Sequence, residues 1–280
     1  MPFIAIEGTF HVVGYSPDGD SIKFKANQSS LWDQIKGKTI RPNPKDHVQI
    51  RVEAIDSLET HYKGDYEQPE TLADAAGDHL MSLLGITNVI WGPTHKRVTS
   101  ANDGTPGFLL ARETGPFGRP ISFLFAGNPG FSDGDSVFLD TDILKESANY
   151  QMLLAGHAYP LFYETLFFDL RNEMALATQS ARGSGLGIWA EDQSRAGFDA
   201  SDLDALQTSV PILPKLFRRI AGLDKDGKPL SDLKAKLAEE RVTILPAVQH
   251  TDLDEAVDVV GSTVTLKHDP ENLIVGTVIR

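Results

Sequence analysis

Three β-patterned stretches crowd the first 60 residues, and they limit this chain more than any other feature. "FIAIEGTFHVVGYS", "SIKFKA" and "HVQIRVEAID" alternate apolar with polar residues or run β-branched between turn residues. That period suits a sheet and not a helix. Residues 69–84, "PETLADAAGDHLMSLL", break the pattern. There Leu72, Ala76, Leu80 and Leu83 recur at helical spacing, with Pro69 near the start and Gly85 just past the end.

Strands are predicted again at 86–92 and 120–126, the second followed by a Gly/Asp-rich stretch over 127–142. Ser147 is expected to N-cap "ANYQMLLA", and Gly156 to stop it. "ETLFFDLRNEMALATQSA" predicts a longer amphipathic helix with Leu166, Leu170, Met174 and Ala177 on one face, ending in the glycines of "RGSGLG". Past about residue 193, helical stretches near 201–221 and 231–240 precede the strand-like "RVTILPAV", "AVDVVG", "TVTLKH" and "LIVGTVI". This predicts two domains, 1–192 and a smaller α+β extension over 193–280.

Composition narrows the function classes. The 280 residues, 41% hydrophobic, supply ample core. No run is long and apolar enough for a bilayer. The N-terminal "MPFIAIEGTFHVV" lacks a basic head, an apolar middle and a cleavage site. The expectation is a cytosolic chain, or a mature form whose signal was removed. Absence of cysteine excludes disulfides and thiolate metal sites. A net charge of -13 argues against a protein that coats polynucleotides, and less against an enzyme with a local basic pocket and a bound cation.

Four segments carry candidate chemistry. "DGDSIKF" holds Asp18 and Asp20, "IRVEAIDSLET" holds Arg51, Asp56 and Glu59, "GPFGRPISFLF" holds Arg119, and "LGIWAED" holds Trp189. Their order resembles the staphylococcal nuclease (thermonuclease) family, whose motifs read DGDT-V-K-L, R-L-x-x-x-D-T-P-E-T, Y-G-R and N-I-W-S-E-D. "LLAGHAYPLFY" is similar to that family's second-helix exit. The resemblance covers about residues 8–192, with insertions at roughly 93–112 and 127–146. It implies an α+β fold: an OB-fold five-stranded β-barrel with three packed helices. It also implies a calcium-dependent nuclease that cuts DNA and RNA, preferably single-stranded, and leaves 3′-phosphate ends.

By that resemblance Asp20 and Asp56 are the carboxylates for Ca²⁺, and the backbone carbonyl of Ser57 is a further ligand. Hard oxygen donors suit that ion. Asp18 supports Asp20 or makes the turn. Arg51 and Arg119 bracket the scissile phosphate, where a guanidinium fork meets growing negative charge. Glu59 is the candidate base or water-positioning group. Read alone, "DGD" is also a turn, Asp56 a cap, Arg51 a cross-strand partner and Glu59 a solvated carboxylate. Phe117, Tyr159, Phe162 and Tyr163 are candidates either for base stacking or for core packing. His61 and His157 are read as ordinary surface or packing residues.

Three departures from the family pattern stand out: Leu58 where proline is usual, Phe117 where tyrosine is usual, and the acidic balance of the chain. Leu58 predicts a less restrained loop into Glu59. The four aspartates of "SDGDSVFLDTD" are read as a solvated acidic loop, and "KLFRRIAGLDKDGK" as a helix with a solvated basic face. The alternatives to an enzyme are a nuclease-like domain that only binds nucleic acid or protein, and a non-catalytic Ca²⁺-binding protein. The intact set Asp20, Arg51, Asp56, Glu59 and Arg119 favours the enzyme.

Overall fold

The computed structural model describes residues 2–93 and 96–276. Residues 94–95 of the first expected insertion and 277–279 of the expected strand "LIVGTVI" lie outside the described residues. The chain divides into two compact units. One comprises Met1–Glu53 and Gly77–Met152, the other Ala54–Ala76 and Leu153–Arg280. This division differs from the expected one at 192: residues 54–76 and 153–192 belong with the C-terminal residues.

The first unit is built on a closed five-stranded barrel. Its strands are β1 (Phe3–His11), β2 (Ser21–Ala26), β3 (Val48–Val52), β4 (Thr105–Thr114) and β5 (Pro120–Ala126). Neighbours run β1-β2-β3-β5-β4 and back to β1. Every pair is antiparallel except β3 with β5. Closure leaves the barrel no open edge. The fold is thus mixed α+β with an OB-like barrel. The helix Glu70–Leu83 (α1) forms where its period predicted.

Alternation puts Phe10, Phe24, Ile22 and Ile50 on one face of the sheet and Phe3, Phe108, Phe123 and Phe125 on the other, and both faces are buried. The rings meet edge to face, Phe3 on Phe123 at 5.6 Å and Phe10 on Phe24 at 5.0 Å, the geometry that aromatic quadrupoles favour. Gly8 of β1 faces Gly107 of β4. A Cβ at Gly8 would sit 2.1 Å from the Lys25 carbonyl, and one at Gly107 2.4 Å from that of Phe125. Only glycine lets the wall bend that tightly around the two phenylalanines.

The fourth barrel strand corrects the sequence reading. Residues 86–92 contribute only the short strand Ile90–Trp91, paired with Val98–Ser100 outside the barrel. The barrel strand is Thr105–Thr114, largely inside the expected insertion. Its buried run Phe108-Leu109-Leu110-Ala111 does not alternate, because packed elements cover both of its sides. The seam between β3 and β5 is completed by Asn149. Its amide donates to the carbonyls of Glu53 and Ser122 at 2.9 and 3.0 Å and accepts from the Leu124 amide at 2.9 Å, so a buried gap in the ladder is filled.

The Gly/Asp-rich stretch leaves Asp135, Asp140 and Asp142 exposed, as a solvated loop does, and also uses its aspartates to hold local structure. Asp133 accepts from the Glu7 amide at 2.8 Å and from Gln28 at 2.9 Å. Asp135 caps a turn at Ser132, and Asp140 N-caps the helix Thr141–Glu146 (α2). Ser147 accepts from the Tyr150 amide at the start of α3 (Ala148–Leu154), as predicted.

The second unit has its own core, to which Leu58, Tyr159, Trp189, Leu213, Phe217, Leu253 and Val264 contribute. Its helices are α4 (Phe168–Gly183), α5 (Leu203–Thr208), α6 (Pro214–Lys225) and α7 (Leu233–Leu237). One sheet runs Phe162–Tyr163, Leu273–Val275, Arg241–Ile244, Gln249–Asp252, and another runs Phe198–Asp199, Thr263–Leu266, Val257–Val260. Residues 193–280, expected to be a smaller α+β extension of their own, are instead part of this unit, the larger of the two. No described helix is long and apolar enough to cross a membrane.

Candidate functional site

In the barrel unit, the turn before β2 and strand β3 hold one charged pair. Asp18 accepts from the Asp20 amide at 3.2 Å, as a turn-making aspartate does. Asp20 in turn accepts an ion pair from Arg51. The β2–β3 register makes that pairing natural, because Ser21 lies opposite Arg51. Across the other seam Arg51 lies beside Ile121, two residues beyond Arg119. Asp20, Arg51 and Arg119 thus share one region of the barrel.

Arg119 closes the β4–β5 hairpin. The Gly115 amide donates to its carbonyl at 2.8 Å, and the Gly118 amide donates to the Gly115 carbonyl at 3.0 Å. Gly118 has φ 75°, and a Cβ there would meet the Thr39 carbonyl at 2.8 Å. Phe117 at the hairpin tip is 83% exposed. Hairpin, β2 and β3 together line a cleft of about 410 Å³ whose cations are Lys23, Lys38, Arg41 and Arg119, with His47 and Phe117 beside them. On a chain of net charge -13 this is a concentrated patch of the opposite sign. Its spread along the chain, from 23 to 119, left no compact basic motif to read.

His47 adds no charge to the cleft at neutral pH. Its Nδ1 lies 3.0 Å from the Tyr15 hydroxyl, and its ring stacks on that of His11 at 4.0 Å. Burial first, then the charges of His11, Lys45 and Lys25, outweigh Asp103 and push its pKa down to about 4. A folded value below the unfolded ~6.5 means its contribution to stability is whole above ~6.5 and is lost as pH falls toward the folded value. An NMR titration of the His47 ring is expected to show a midpoint near 4, with binding at the cleft carried by lysine and arginine alone. A midpoint near ~6.5 would contradict this account.

In the second unit Asp56 and Ser57 are buried, and Asp56 pairs in a two-residue strand with Tyr159. Leu58 is buried in the core of that unit. This corrects the loose-loop expectation, because leucine anchors the segment where a proline would have stiffened it. Gln68 continues the restraint. Its amide donates to the Glu59 carbonyl at 2.8 Å, and its side chain reaches the carbonyl of Ile212 at 2.8 Å.

The acids of this segment face an arginine that the sequence did not single out. Arg218 of α6 donates to both Asp56 oxygens, at 3.1 and 2.7 Å, and to Glu59 Oε1 at 2.5 Å. Burial opposes its charge, but Asp56 and Glu59 outweigh burial and hold its pKa well above the ordinary value. Three more cations of the basic stretch are answered too: Lys215 by Glu240 at 2.6 Å, Arg219 by Glu240 and Lys225 by Asp65. The expected solvated basic face is instead a row of intramolecular ion pairs.

Two stacking candidates are corrected. Tyr159 and Phe162 are fully buried, so neither meets a base. The Tyr159 hydroxyl donates to Asp192 at 2.7 Å, and Asp192 also accepts from Ser194 at 2.6 Å. Burial raises the pKa of both Tyr159 and Asp192. Tyr163 is half-buried and pairs with Val275. Of the four, Phe117 alone is open to solvent as a ring platform.

The donor set expected for calcium does not fit that ion as it stands. Both oxygens of Asp56 are taken by one guanidinium, and Asp20 is on Arg51. Among the described residues no group of three or more His, Cys, Asp or Glu is arranged to hold a metal. No family model matches the chain, and no curated protein matches it.

Proposed function

We propose that this protein binds single-stranded polynucleotide along the cleft of its barrel and hydrolyses the phosphodiester backbone. The observation that carries the reading is the cleft itself: Lys23, Lys38, Arg41 and Arg119 on an acidic chain, with Phe117 exposed at the hairpin tip. It is lined by β2, β3 and the β4–β5 hairpin, the surface on which OB barrels take oligonucleotides. Cations would follow the backbone while the phenyl face stacks on any base, giving little sequence preference.

For cleavage, water oxygen bonds to phosphorus and the bond from phosphorus to the 5′-oxygen breaks. The 5′-hydroxyl leaves with a proton and the phosphate stays on the 3′-oxygen. Negative charge grows on the phosphoryl oxygens, and Arg119 supplies a fork for it. Glu59 is the water-positioning group that the resemblance implies, and Arg218 holds its carboxylate. No step is routed through calcium. A binding module without turnover is the second reading, and the engagement of Asp20, Asp56 and Glu59 by arginines favours it.

The test is cleavage of labelled single- and double-stranded DNA and RNA, with Ca²⁺ or chelator, by wild type and by Arg218→Met. The expected result is 3′-phosphate products whose rate falls ~100-fold or more in Arg119→Ala, the scale of removing one charge-stabilising donor. Strand binding with no cutting by either chain would overturn the phosphodiesterase and leave the binding module.

A further inference from the structure

We infer that Arg218 is the resident cation of the Asp56–Glu59 pair, and that docking of α6 closes this pair to divalent ions. The guanidinium meets Asp56 through two parallel hydrogen bonds and spans to Glu59 with the same Nη1, so one fork occupies the space between the carboxylates. Asp56 is fully buried and Arg218 is only 22% exposed as a side chain. A calcium ion asks for six to eight oxygen ligands. It would have to take Asp56 oxygens already used and would stand against a fixed positive charge.

Arg218 does not hold this position alone. Leu216, Phe217, Ile220 and Leu223 of α6 are buried in the core that also takes Leu58. Further along the same segment, the Tyr66 hydroxyl donates to Asp224 at 2.6 Å, Asp65 meets Lys225, and Lys63 lies 3.6 Å from Asp226. The helix is therefore bound to the acid-bearing segment at several points along its length. An ion that binds Asp56 must displace Arg218, and substituting Arg218 is the direct way to open the pair. The regulatory meaning rests on the nuclease reading; the ion exclusion does not.

Calorimetric titration of Ca²⁺ into the full chain tests this, with circular dichroism confirming fold. Wild type and Asp56→Asn are expected to give the same isotherm. Arg218→Met is expected to gain a site binding at least ~10-fold more tightly than any in wild type, lost again when Asp56→Asn is added. Wild-type binding that Asp56→Asn weakens would overturn the inference, and so would a folded Arg218→Met that gains no site. Should Arg218→Met fail to fold, wild type against Asp56→Asn decides by itself. Failure of the nuclease reading shows separately, as no cutting by wild type or Arg218→Met whatever the calcium result.

Discussion

The triple reversal Lys38→Glu, Arg41→Glu, Arg119→Glu is expected to weaken binding of single-stranded DNA by ~100-fold or more at low salt. All three line the same cleft, and among the described residues none of them pairs with a carboxylate. Each cation near a phosphate contributes about 1 kcal/mol at 4 Å in water, and reversal replaces attraction by repulsion, so a sum of several kcal/mol survives partial screening. The salt dependence gives a sharper check. Each phosphate contact on a single strand contributes a slope of about 0.7, so losing three flattens the log–log plot by about 2. Fluorescence anisotropy with a labelled oligonucleotide at four salt concentrations measures both. An unchanged slope would move the strand off this cleft and remove the observation on which the proposed function rests. Phe117→Ala belongs in the same series, since it should weaken binding without altering the slope.

The second large effect is on stability. Arg218→Ala is expected to destabilise the full chain by about 3 kcal/mol or more, because it takes the guanidinium from a buried carboxylate. Asp56 has no exposed surface over which water could replace that partner. The double variant Asp56→Asn/Arg218→Met should recover most of the loss, since removing both charges avoids the desolvation that the pair has to offset. Urea unfolding of wild type, each single variant and the double variant closes the cycle. A loss below about 0.5 kcal/mol for Arg218→Ala would mean that solvent screens the pair as it does a surface ion pair.

Much of the barrel was legible because strands and helices report themselves locally. The alternation of "SIKFKA" and "VQIRV" appears as β2 and β3, and the spacing of Leu72, Ala76 and Leu80 appears as α1. Ser147 and Gly156 act where their chemistry predicted. β4 was missed because Pro106 and Gly107 head it and its buried run has no alternation. Glycine that looks like a loop signal is here the consequence of a tightly curved wall, visible only with Phe10 and Phe125 in place.

The candidate site divides along the same line. Asp20 and Arg51 could be paired from strand order, since their positions lie on neighbouring elements of one sheet. The fate of Asp56 and Glu59 could not, because their partner lies 162 and 159 residues away with no periodic or motif link to them. Nor did the aromatic character of "YPLFY" say which rings face solvent; Tyr159 and Phe162 went inward because core formation buries whichever faces the packed elements cover. By itself the sequence determined the local periods, the caps, the charge balance and the positions of the ionisable side chains. Tertiary structure alone decided which acids meet which bases. An ion pair depends on distance in space, and distance is set by how buried faces pack and not by order along the chain.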